Sequence, residues 1–205
     1  MEGDRSERGK NFPAYHININ NFVFGAIVKT TFSLEIDLSF TPFHVKGLDT
    51  FHSSDTLELL KNSNQWHIEI TRWIRFIQFN EELKCPDIVR NASQLSLGLE
   101  LTNDQKILDL NYTWLGQQKT TDVLSFPVID ETSFGLSNAC IELGDIVISV
   151  PTARRQAEEN NVDLFRELRW LATHGLLHLL GWDHCDEESL TQMLITQEQL
   201  LGLNC

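Results

Sequence analysis

The sequence predicts an α+β fold in which a small mixed four-stranded sheet is packed with about five helices. Four short runs alternate apolar and polar residues, or are rich in β-branched side chains, as strands require. Five longer segments instead repeat apolar residues every three or four positions. Strands and helices alternate along the chain, and helices gather toward its C-terminal end. At 205 residues, 41% hydrophobic and 22% charged, the chain suits one substantial core and is too short for two.

Taken in order, residues 1–12 (MEGDRSERGKNF) are charged and aperiodic, and residues 13–32 commit to no regular element. Residues 1–32 therefore read as a poorly defined N-terminal extension and 33–205 as a single domain. Leu34, Ile36, Leu38 and Phe40 alternate with polar residues and define a first strand over Ser33–Phe40. Ile70, Trp73, Ile74 and Ile77 follow the i, i+3, i+4, i+7 pattern of a helix over Gln65–Asn80. Alternation returns at Leu95, Leu97, Leu99 and Leu101, a second strand; Thr102-Asn103-Asp104 then caps a helix reaching about Trp114. Thr121–Phe126 reads as a third strand stopped by Pro127, and 128–140 as a loop holding Gly135, Ser137 and Asn138. Ile141–Val150 is the fourth strand, in which Gly144 marks a bulge or a close approach. Pro151 suits the first turn of a helix over Thr152–Asn161. Asp163 caps a long helix striped by Leu164, Leu168, Leu171 and Leu179. A last helix spans about Glu187–Leu201 on Leu190, Met193, Leu194, Leu200 and Leu201.

Several classes are excluded. No apolar run approaches the roughly 20 residues that cross a bilayer. Phe22–Val28 (FVFGAIV) is too short for most secretory signals, and Glu2 and Asp4 spoil its basic flank. The expectation is a cytoplasmic protein with no membrane partner, in which the glycosylation-type triplets at Asn91 and Asn111 carry no meaning. Cys85, Cys140, Cys185 and Cys205 form no C-x-x-C pair, so they read as separate thiols rather than a zinc ribbon or redox site. The net charge is −13, with 29 acidic residues against 16 bases. That balance disfavours non-specific nucleic-acid binding, because phosphate-binding surfaces need bases to replace counterions. Net charge, however, does not describe one cleft.

The densest chemistry lies at Thr173–His184, THGLLHLLGWDH. His174 and His178 are four residues apart in the long helix, hence on one face and one turn apart. His184 follows six residues later, after Gly181 lets the chain leave the helix in a left-handed turn. Its imidazole can fold back to the same ion. Three neutral nitrogens leave a tetrahedral zinc one open position, the catalytic rather than the structural arrangement. The spacing H-x-x-x-H-x-x-G-x-x-H is that of the metzincin proteases. Those enzymes place Glu after the first histidine as general base; Gly175 stands there and cannot accept a proton. Asp183 is the nearest carboxylate, suited equally to a base or to orienting a ligand. Cys185 reads as a bystander, and His16, His44, His52 and His67 have no partner at ligand spacing.

The segment His174-Gly-Leu-Leu-His178-Leu-Leu-Gly-Trp-Asp183-His184 resembles the zinc signature of the YbeY family of endoribonucleases. A second stretch agrees: Leu110-Asn111, Thr121-Asp-Val-Leu-Ser-Phe-Pro127 and Leu143-Gly-Asp-Ile146 stand in the family's order and spacing. The resemblance runs from about Ser33 to Leu201. It implies a small mixed sheet packed with several helices, with the zinc histidines on one C-terminal helix and the loop after it. It also implies a metal-dependent hydrolase of single-stranded RNA, with roles in 3′-end maturation of small-subunit ribosomal RNA and in ribosome quality control. Carried over, His174, His178 and His184 hold one zinc ion per chain, Ser125 and Phe126 lie beside the cleft, and Gly144 and Asp145 shape it. Family members commonly carry an arginine after the aromatic residue of the Leu-Asn segment; here Leu115 follows Trp114. A leucine cannot stabilise phosphoryl charge. Lys119, four residues on, is the nearest cation, a point charge rather than a bidentate fork.

The resulting expectation is a zinc-dependent endoribonuclease acting on single-stranded ribosomal RNA and the small ribosomal subunit. Asp183, Lys119 and Ser125 are its catalytic candidates. Two rivals stand beside it. One is a ribosome-assembly binding factor with a structural zinc and little cleavage, favoured by Leu115 and the acidic charge. The other is a zinc peptidase, favoured by the metzincin spacing and opposed by Gly175. Arg154 and Arg155 read as solvated side chains, and Trp182 as packing for the loop that holds His184 rather than a platform for a base. Three imidazoles also accept nickel, copper or cobalt, and the sequence sets no oligomeric state.

Overall fold

The computed structural model describes residues 34–43, 60–129 and 140–202. Strands β1 (Glu35–Thr41), β2 (Gln94–Thr102), β3 (Val123–Pro127) and β4 (Ile141–Ser149) form one sheet in the order β1-β2-β4-β3. The first two strands and β4 run parallel, while β3 lies antiparallel on the edge beside β4. Among the described residues there are six helices: α1 (Ser63–Phe79), α2 (Asp87–Arg90), α3 (Asp104–Leu115), α4 (Val150–Asn160), α5 (Leu164–Leu179) and α6 (Glu187–Leu201). The predicted α+β class and mixed four-stranded sheet are both present. The five long helices start and the four strands start and stop within two residues of their predicted positions. Helix α2, four residues after Pro86, is too short to show a period and was not foreseen. Residues 1–32, most of the 128–140 loop, His16, His44, His52 and Cys205 lie outside the described residues.

Register explains the core. Ile36, Leu38 and Phe40 pair with Leu95, Leu97 and Leu99, and Leu99 and Leu101 pair with Ile146 and Ile148. Alternation of side chains makes these one apolar face. It joins Trp66, Ile70, Trp73, Ile74 and Ile77 of α1 and Leu168, Leu171, Ala172 and Leu176 of α5 in a continuous core. Val123 and Ser125 of β3, opposite Ile148 and Ile146, carry that face to the sheet edge. Leu124 and Phe126 point to the other face, where the Phe126 ring meets Trp114 of α3 at 5.9 Å between centroids. Gly144 behaves as predicted. Between Ser96↔Glu142 and Gly98↔Asp145 the register gains one residue in β4, and Gly144 takes φ +119° there. A Cβ on it would lie 2.0 Å from the Phe126 carbonyl oxygen, so only glycine lets β3 pair here.

The helix that carries the first two histidines is held from two sides. Inside the core, Arg169 of α5 donates through Nε and Nη2 to Glu69 Oε2 of α1 at 3.2 and 2.9 Å, and its guanidinium lies over the Phe165 ring. From α6, Met193, Thr196, Gln197, Leu200 and Leu201 are buried, and the Leu201 carbonyl accepts from the same Arg169 Nη2 at 3.4 Å. No helix among the described residues is long and apolar enough to cross a membrane.

Candidate metal centre

Helix α5 begins where its cap predicts: the Asp163 side chain accepts the Arg166 N–H at 2.7 Å. It runs across β4 and β3 at close range, and the reason is Gly175. A Cβ there would stand 2.7 Å from Ile146 Cγ2 and 3.1 Å from Ser125 Oγ. The position has no room for a side chain, least of all the glutamate of a zinc protease. The same close approach puts Ser125 next to the turn of helix that bears His174.

The helix ends in a Schellman turn at Gly181, with φ +79°. The Trp182 N–H donates to the Leu177 carbonyl and the Gly181 N–H to the His178 carbonyl, both at 3.0 Å. This fold-back has two results. It sets the Trp182 carbonyl against His178, whose Nδ1–H donates to it at 2.9 Å. It also returns the chain so that His184 faces the first two histidines, with ring centroids 5.6 Å from His174 and 5.3 Å from His178. Trp182 packs this loop, as expected: its Nε1–H donates to the Lys84 carbonyl at 2.8 Å.

One ligand nitrogen from each of His174, His178 and His184 lies within 4.8 Å of the others. The arrangement fits a metal ion on three counts. Nδ1 of His178 meets a carbonyl, an acceptor only, and Nδ1 of His174 meets Gln197 Oε1 at 3.2 Å. With both Nδ1 atoms protonated, both Nε2 atoms carry lone pairs, and these face one another at 3.1 Å. Lone pairs so close repel unless a proton or a cation relieves them. Protonation is disfavoured: burial first, then the charge of His178, push His174 down to about 4, and burial also pushes His178 down. Finally, Nε2 of His184 is buried with no hydrogen-bond partner, a cost that a metal ion would remove. Neutral imidazoles are the form that binds metal. Among the described residues this cluster has three such ligands, the number that leaves a coordination position open.

Of the remaining candidates, Asp183 alone is bonded to a histidine of the cluster. Asp183 is exposed; its Oδ1 accepts the His184 N–H at 2.8 Å and its Oδ2 accepts from Cys185 Sγ at 3.0 Å. Those two bonds hold its carboxyl below the usual range, and its charge is felt by His178. Lys119 lies on the exposed loop after α3, and the fold holds it by its backbone: its carbonyl accepts from Asn111 Nδ2 at 2.9 Å. That is the task of the asparagine in the Leu110-Asn111 pair, a buried residue bracing the loop. Leu115 is exposed at the end of α3 beside Trp114. Arg154 and Arg155 are engaged by carboxylates, Glu158 at 3.1 Å and Asp104 at 3.0 Å. His67 Nε2 lies 2.9 Å from the Ile36 carbonyl oxygen, within hydrogen-bonding distance.

Sequence reasoning missed two polar residues behind the cluster. Gln197 of α6 reaches His174 as described. Asp122, before β3, is largely buried and accepts from Gln156 Nε2 at 2.8 Å, the Val123 N–H at 2.9 Å and Thr121 Oγ1 at 3.1 Å. Its negative charge bears on His174. Gln197 did leave a signal, a polar residue inside the stripe Met193, Leu200, Leu201.

Residues 55–203 match the family model described as Endoribonuclease YbeY. A protein named Endoribonuclease YbeY from Prochlorococcus marinus (strain NATL2A) is 76% identical over 170 residues, 83% of this chain and 92% of its own. Another of that name, from Prochlorococcus marinus (strain MIT 9313), is 45% identical over 87% of this chain and 96% of its own. A third, from Synechococcus sp. (strain CC9311), is 44% identical over 83% and 96%. A kinship spanning most of both sequences, and taking in the helix, turn and strands that build the histidine cluster, means that the chain belongs to the YbeY endoribonuclease family.

Proposed function

We propose that this protein is a zinc-dependent endoribonuclease specific for single-stranded RNA, acting in the cytoplasm on the small ribosomal subunit in 3′-end maturation of its RNA and in ribosome quality control. Residues 33–205 form the single hydrolase domain and 1–32 an extension to it. The observation that carries the reading is the convergence of His174, His178 and His184, with the Nε2 lone pairs of His174 and His178 turned on one another, in a chain whose relatives are named endoribonucleases. These three residues hold the ion, which when bound supplies Lewis acidity and a lowered pKa for water. Ser125, against the His174 turn, orients the phosphodiester. Asp183 fixes the loop of His184 and offers a carboxylate for proton transfer at the rim. Lys119 supplies the positive charge that Leu115 lacks. Trp114, 67% exposed against Phe126, offers an open ring on which an unpaired base can stack, which suits single strands.

The three-ligand set supports an enzyme over a structural zinc site, and the crowding at Gly175 opposes a peptidase. Leu115 favours one second reading, a ribosome-binding factor with little cleavage. Labelled single-stranded ribosomal RNA, wild-type protein and His178→Ala, with metal content measured on both, separate the two. Cleavage by zinc-loaded wild type alone supports the nuclease. Stoichiometric zinc in a folded wild type that leaves the RNA intact overturns it.

A further inference from the structure

We propose that Gln197 is a positioning residue for metal binding: it fixes the tautomer of His174 so that Nε2, not Nδ1, is presented to the ion. The proposal rests on the metal-centre reading above. A neutral imidazole carries its proton on either nitrogen, and the wrong choice blocks the ligand atom. What decides the choice is the acceptor or donor facing the other nitrogen.

For His174 that decision traces back to the backbone. Gln197 is fully buried, so its amide has only protein partners within reach. Its Nε2 donates to the Trp170 carbonyl at 3.2 Å, and its Oε1 then faces His174 Nδ1 at 3.2 Å. Reversing the amide would set its oxygen against the Trp170 oxygen and its NH2 against Nδ1. The Trp170 carbonyl can only accept; it therefore orients the amide, and the amide can only accept from His174. His178 receives the same service from the Trp182 carbonyl, which no side-chain exchange removes. Gln197 is the partner that substitution can take away.

The position itself argues for this task. Gln197 lies on the buried stripe of α6, four residues from Met193 and from Leu201. An amide there costs desolvation that an apolar side chain avoids. Methionine at 197 would fill similar volume, and the Trp170 carbonyl would keep the Thr173 hydroxyl, which donates to it at 2.8 Å. Loss of Gln197 therefore unpairs His174 while leaving the rest of the contact intact.

The experiment compares wild type, Gln197→Met and Gln197→Glu, the last keeping an acceptor against Nδ1 with its other oxygen protonated toward the Trp170 carbonyl. Zinc affinity is measured by competition with a chelator, and the protonated nitrogen of His174 is read from 15N shifts of the metal-free full-length protein. In wild type the proton is expected on Nδ1. Gln197→Met should bind zinc about 10- to 100-fold more weakly without a lower metal-free melting temperature, and Gln197→Glu should recover most of that loss. Equal affinity of Gln197→Met and wild type overturns the proposal, as does a His174 proton on Nε2 in wild type, a readout that needs no variant to fold. Wild type that takes up no zinc overturns the metal centre itself and the proposal with it.

Discussion

Replacing Gly175 with alanine should destabilise the protein even though it improves the helix. In an unobstructed helix interior the exchange gains about 1 kcal/mol, because glycine has more backbone freedom to lose. At this position the added methyl would meet Ile146 Cγ2 at 2.7 Å and Ser125 Oγ at 3.1 Å. Ile146 is 1% exposed and branched at Cβ, so its methyl cannot swing clear. Overpacking of that kind costs about 1–3 kcal/mol. Set against the helix gain, the net expectation is a loss of about 1 kcal/mol, or roughly 2–4 °C in Tm for a protein of this size. Relief comes from α5 lifting off β4, which moves His174 and His178 relative to the loop of His184, so zinc affinity falls as well. Urea unfolding of the metal-free protein and a zinc titration measure the two effects. An alanine variant about 1 kcal/mol more stable than wild type would show helix propensity acting unopposed, and would refute the packing account of why glycine stands beside His174.

Three further outcomes are expected. Arg169→Met removes both donors to Glu69 Oε2, leaving the buried carboxylate Gln65 at 3.3 Å and Arg72 at 3.8 Å on its other oxygen, and should cost about 1.5–3 kcal/mol in urea unfolding; the double variant with Glu69→Leu should recover most of it, and an additive double loss would show that the pair is not coupled. Burial pushes the Asp122 carboxyl up, but its bonds from Gln156, Val123 and Thr121 outweigh this and hold it below the usual value of 3.8. The unfolded chain therefore takes up that proton first, so the contribution is complete at neutral pH and is lost as pH falls through 3.8 and below; Asp122→Asn should flatten this acid limb of the stability profile, and an unchanged limb would contradict the assignment. Leu115→Arg, at a half-exposed helix end, should leave stability within about 0.5 kcal/mol and raise the rate of RNA cleavage; an unchanged rate would show that no phosphate passes this position.

What could be read from the chain alone was whatever depends on neighbours in sequence. The caps at Asn103 and Asp163, the left-handed stop at Gly181 and the one-turn spacing of His174 and His178 are local, and the structure contains each of them. Strand order was not legible, because β3 enters the sheet beside β4 and antiparallel to it only through pairings across the chain. That unseen pairing is what gives Gly175 its meaning. From the sequence it was only a missing general base; in the fold it is the contact that lets α5 lie on Ile146 and Ser125. The sequence therefore picked out the three histidines that the fold brings together, but not what aims them. Aim is tertiary: a backbone carbonyl delivered by a turn for His178, and for His174 an amide 23 residues away on another helix. Such partners are buried and polar, and burial of a polar group is costly enough to be avoided wherever it is not used. A glutamine interrupting the stripe Met193, Leu200, Leu201 is thus the kind of local inconsistency that points to a site from the far side. The rule has a physical limit, since the carbonyl that serves His178 belongs to the backbone and leaves no such trace in the sequence.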